Sequence, residues 1–140
     1  MIKKFCILAL VILLLPVGLA DGEETAKVKS AVSAAEKWLE TVDKGSYGDS
    51  WVEASEYFKK AISQQEWEHS MKAFRKPFGD LISRKMTSAV YRTSIPGAPD
   101  GEYVVIQFES SFKNKKEAIE TVTPMLDKEH VWRVSGYYIK

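Results

Sequence analysis

Apolar residues recur at helical spacing through the first half of the chain and at alternate positions through the second. Val28, Val32, Ala35, Leu39 and Val42 are spaced by four, three, four and three residues, which puts them on one face of a helix. Lys44-Gly45 ends it, with Gly45 as a left-handed cap. A second stripe runs Tyr47, Trp51, Ala54, Phe58 and Ile62 behind a capping box at Ser50-Trp51-Val52-Glu53. A third, Trp67, Met71, Phe74 and Phe78, opens on Ser63-Gln64-Gln65-Glu66 and stops or kinks at Pro77. Spacing and caps predict three helices of about 18, 14 and 14 residues.

After Arg84 the period changes to two. Val104, Ile106, Phe108 and Phe112 point one way, with Tyr103, Gln107, Glu109 and Ser111 opposite, in a strand over about 102–113. A Thr-, Val- and Tyr-rich stretch at 84–94 reads as its partner across the turn-rich loop Ile95–Gly101. Further strands cover about 117–126 and 131–139, the last with Trp132, Val134, Gly136 and Tyr138 on one face. Pro124 fits an interior strand only at a bulge, because proline has no N–H for the ladder. The predicted fold class is α+β: three N-terminal helices packed on a four-stranded twisted antiparallel sheet.

The first twenty residues are of another kind. Lys3 and Lys4 precede the apolar run Phe5–Leu15, and Gly18-Leu19-Ala20 supplies small residues two apart. This is the layout of a secretory signal peptide, with cleavage expected after Ala20 and a single domain over 21–140. A bilayer-crossing helix needs about 20 apolar residues, more than Pro16 allows here. The expected location is outside the cytoplasm, periplasmic or secreted, with membrane contact only through the signal peptide. Cleavage removes Cys6, the one cysteine, and shifts the formal charge from +1 to −1. No disulfide is then expected, and a near-neutral chain argues against nucleic acid as a partner.

Several stretches resemble one bacterial family. They are Ala34-Ala35-Glu36-Lys37-Trp38-Leu39, Val42-Asp43-Lys44-Gly45-Ser46-Tyr47 with Ser50-Trp51, Ser83-Arg84, the run Pro96-Gly97-Ala98-Pro99-Asp100-Gly101-Glu102-Tyr103-Val104-Val105, Glu120-Thr121-Val122-Thr123, and Trp132-Arg133-Val134-Ser135-Gly136-Tyr137-Tyr138. The family is domain of unknown function 4019. The order of helices and sheet resembles the cone-shaped nuclear transport factor 2-like superfold. The resemblance implies that fold and an exported bacterial protein; it implies no activity.

Candidate chemistry is sparse. Glu66 and His69 sit at helical i, i+3, but a metal site needs three or four ligands, so no metal and no cofactor is expected. His130 lies in a charged hairpin. Phosphate-cradling and esterase motifs are missing. Glu120 shares its face with Ala118 and Val122 and is the one carboxylate placed to enter a cavity. It is expected to stand there without a polar partner, so no catalytic residue is assigned. Lys113, Lys115 and Lys116 form a small basic cluster, read first as a solvated turn and otherwise as a contact for an acidic partner or an anionic membrane surface. The aromatic residues read first as core. The functional alternative is a pocket between sheet and helices lined by Trp51, Phe74, Phe108, Trp132 and Tyr138, holding a small apolar ligand. The preferred reading is a non-catalytic binding or interaction module for an apolar ligand or a protein partner. The alternatives are a cavity enzyme of isomerase or dehydratase type using Glu120, and a structural envelope protein acting as a homodimer.

Overall fold

Helices come first and sheet second, as the change of period requires. The computed structural model describes residues 19–140, with side chains from Gly22 onward. The signal-peptide assignment for 1–20 lies outside those residues, apart from the backbone of Leu19 and Ala20.

The first helix, α1, spans Leu19–Asp43. It closes on Gly45 at φ +77°. Gly45 N–H donates to the Val42 carbonyl and Ser46 N–H to that of Thr41, the paired bonds of a left-handed cap. The expected second helix is two, α2 (Tyr47–Glu53) and α3 (Glu56–Ala61). The apolar stripe runs through both, yet the backbone breaks at Ala54–Ser55. Ser55 N–H donates to the Val134 carbonyl in the sheet, and its hydroxyl accepts from Phe58 N–H to start α3. Ser50 does not cap; it is buried inside α2, and its hydroxyl donates to the Tyr47 carbonyl. Helix α4 (Gln64–Phe74) opens on Ser63, which accepts from Glu66 N–H, and a 3-10 turn at Lys76–Phe78 follows around Pro77.

The sheet is an antiparallel meander of β1 (Leu81–Arg92), β2 (Tyr103–Phe112), β3 (Lys115–Asp127) and β4 (Val131–Ile139), in that spatial order. The chain is therefore an α+β domain with an open four-stranded sheet. Its inner face carries Val104, Ile106, Phe108, Val122 and Val134 against Ala31, Ala35, Trp38, Leu39 and Val42 of α1. Trp38, Trp67 and Tyr137 pack ring to ring, with Trp38 5.3 Å from Tyr137 and 6.1 Å from Trp67. Phe58 meets Trp67 edge-on at 4.9 Å.

The bulge expected at Pro124 is present, and it redirects β4. Thr123 pairs with Gly136 and Pro124 with Val134, so Ser135 is the extra residue. Its hydroxyl donates to the Thr123 carbonyl at 2.7 Å. Alternation shifts by one past this point. Trp132 and Val134 face the helices, but Tyr137 takes the next inward place and Tyr138 turns out to solvent. The expected inward face Trp132–Val134–Gly136–Tyr138 is corrected accordingly.

Candidate functional site

Three neighbouring strands each place one polar residue among apolar ones on the inner face: Arg84 on β1, Ser110 on β2 and Glu120 on β3. Glu120 is completely buried. Its Oε1 accepts from Arg84 Nε at 2.7 Å and from Ser110 Oγ at 2.6 Å. Its Oε2 accepts from the Tyr137 hydroxyl at 2.5 Å. Arg84 then extends its other two nitrogens to the end of α1. Nη1 donates to Asp43 Oδ2 at 2.7 Å and Nη2 to Oδ1 at 2.9 Å, a two-pronged guanidinium–carboxylate pair. Arg75, just past α4, adds a donor to Asp43 at 3.2 Å and another to the Gly79 carbonyl at 3.0 Å. Its guanidinium lies 4.2 Å from the Phe112 ring centre.

The cluster is electrically balanced, two guanidinium groups against two carboxylates. Burial opposes the charge of Arg84, but Asp43 and Glu120 outweigh it and raise its pKa. Burial, reinforced by the neighbouring Glu120 charge, pushes the Tyr137 phenol well above its ordinary value. Tyr137 is therefore a neutral donor at any physiological pH. Glu120 is not the isolated carboxylate expected from its face: the bulge delivers Tyr137, and Arg84 and Asp43 arrive from other elements. A general base needs a free lone pair facing its substrate. Here both oxygens are engaged and no solvent reaches them.

The five expected pocket residues do not line one cavity. Phe108 is core, 2% exposed. Trp51 is half-buried, donates its indole N–H to the Ile62 carbonyl and has Lys59 over its ring. Trp132 lines an open depression between α1 and β4 with Trp38 and Arg133. Phe74 and Tyr138 are brought together, on the outside. They edge a depression of about 430 Å³ floored by Trp67, Met71, Phe78 and Tyr137. They remain 70% and 63% exposed. Glu66, His69 and His130 are exposed, and no cluster of metal-ligand type exists among the described residues.

A second polar group closes the other end of the sheet. Glu102 accepts from Lys27 Nζ at 2.6 Å and from the Tyr91 hydroxyl at 2.8 Å, and these bonds lower its pKa.

Residues 34–137 match the family described as protein of unknown function (DUF4019). No curated protein and no solved structure matches the chain. The match spans well over half the sequence, and the chain belongs to that family.

Proposed function

We propose that this member of the DUF4019 family is an exported, non-catalytic binding module. In this reading residues 1–20 are a signal peptide removed after Ala20. Residues 21–140 work outside the cytoplasm on the cone-shaped, nuclear transport factor 2-like architecture.

The observation that carries the reading is the contrast between the two sides of Tyr137. Inward, its hydroxyl closes the last contact of a buried and satisfied Glu120. Outward, its ring floors an apolar depression whose rim residues, Phe74 and Tyr138, stay largely exposed. Chemistry is disfavoured inside and apolar contact is favoured outside. Against the enzyme alternative, Glu120 is fully buried and both its oxygens already accept hydrogen bonds.

The test uses residues 21–140 and a neutral apolar fluorophore, N-phenyl-1-naphthylamine. Saturable binding that Phe74→Ser and Tyr138→Ser each weaken supports the reading. No saturable binding, or binding indifferent to both substitutions, overturns it. The export half is checked by mass spectrometry of the native protein, which should start at Asp21.

A further inference from the structure

The apolar depression lies at the basic end of the molecule. The turn after α4 packs directly on the β2–β3 hairpin: Asn114 N–H donates to the Phe78 carbonyl, and Lys113 N–H to that of Asp80. Lys115 Nζ stands 5.6 Å from the Phe78 ring centre, and Phe78 floors the depression. Lys113 of the hairpin lies beside Gly79 of that turn. Lys140 follows Ile139 of the depression wall, and its backbone pairs with Ile119. Lys116 and Lys140 line the adjoining hollow on the outer face. With Lys76, five lysines lie on the turn after α4, the β2–β3 hairpin and the end of β4, where the exposed acids are Asp80 and Glu117. Lys85 and Glu109, directly opposite each other farther along the sheet, offset one another. The whole chain carries only +1, so the basic excess is local.

We propose that this end docks on an anionic lipid bilayer, with Phe74 and Tyr138 entering the interface and the Lys113, Lys115, Lys116 and Lys140 ammonium groups pairing with headgroup phosphates. This rests on the binding-module reading and names its ligand. Aromatic rings settle at headgroup depth, and lysines around them gain from the negative surface potential. An acidic protein would satisfy the lysines but leaves two prominent, uncovered aromatic residues without a role. A second copy of the chain would bring lysines against lysines.

Cosedimentation of residues 21–140 with vesicles tests the proposal. Vesicles of equal parts phosphatidylcholine and phosphatidylglycerol should bind, pure phosphatidylcholine should not, and added salt should release the protein. Replacing Lys113, Lys115 and Lys116 together by Gln should weaken binding roughly a hundredfold. Phe74→Ser should weaken it about tenfold. All four side chains are exposed or half-exposed, so circular dichroism should show unchanged folding. Absence of anionic-vesicle binding, with fluorophore binding intact, overturns the lipid assignment alone; loss of both overturns the binding-module reading as well. Binding to polyglutamate as tight as to vesicles, and unaffected by Phe74→Ser, also overturns it in favour of an acidic protein partner.

Discussion

Arg84 holds two carboxylates with one side chain, Glu120 through Nε and Asp43 through both terminal nitrogens. It thereby ties the end of α1 to the middle of the sheet. Sequence spacing singles out Glu120 but not its company. Asp43 is the last residue of a helix distant in sequence. Arg84 reads as one more basic strand residue, and Ser110 as a gap in the apolar alternation of β2. Taken together, three polar residues on inward positions of adjacent strands are a legible sign, once the register is known. Burying charges is expensive, and removing one partner strands the other. Glu120→Gln is therefore expected to cost about 3 kcal/mol, read as a lowered denaturant midpoint. A change under about 1 kcal/mol would mean that Asp43 alone satisfies Arg84.

Among the elements, α1 and α4 are legible because their stripes and caps are local. The division between α2 and α3 is not, because the stripe Tyr47–Trp51–Ala54–Phe58–Ile62 continues across it. The break is imposed from outside, by the bond from Ser55 N–H to Val134 in β4. Strand positions follow from alternation, with ends displaced by one to three residues in β1 and β3. Ser55 is fully buried and starts α3. Ser55→Ala should lower stability by about 1 kcal/mol in chemical denaturation. The loss should appear as faster amide exchange at Phe58 and Lys59, with α4 unchanged. Equal exchange in both helices would show that Ser55 is not an independent cap.

At the scale of the molecule, one end of the sheet is held by two carboxylates that favour ionisation, Glu102 before β2 and Asp127 at the end of β3. Glu102 is kept below its ordinary value of 4.5 by its bonds from Lys27 and then Tyr91. Burial acts to raise Asp127, but donation from the Glu56 and Lys128 N–H groups, with Arg133 nearby, leaves it below its ordinary 3.8. Asp127 thus clamps the start of α3 to the β3–β4 hairpin. A carboxyl lowered in the folded state contributes stability in full above its ordinary value. It loses that stability as the pH falls through the lower folded value. Unfolding free energy should stay level from neutral pH to about 4.5 and then drop. Asp127→Asn should flatten the acid limb, and an unchanged limb would count against the clamp.

Side-chain direction on a strand is a matter of parity, and Ser135 changes the parity of β4. Were Ser135 paired with Thr123 instead of bulged out, Gly136 would stand opposite Val122, and Tyr138 opposite Glu120. The tandem Tyr137–Tyr138 is then a redundant code: in either frame one phenol arrives at the buried carboxylate and the other is handed to the surface. Deleting Ser135 should remove the bulge and leave Gly136 opposite Thr123, so Tyr137 stays at the carboxylate. In the intact chain Tyr137→Phe destabilises and Tyr138→Phe does not; in the deletion the order should be the same. If Tyr138→Phe becomes the costly change, the strand has slipped by one and the serine, not the Thr123–Gly136 pairing, sets the frame.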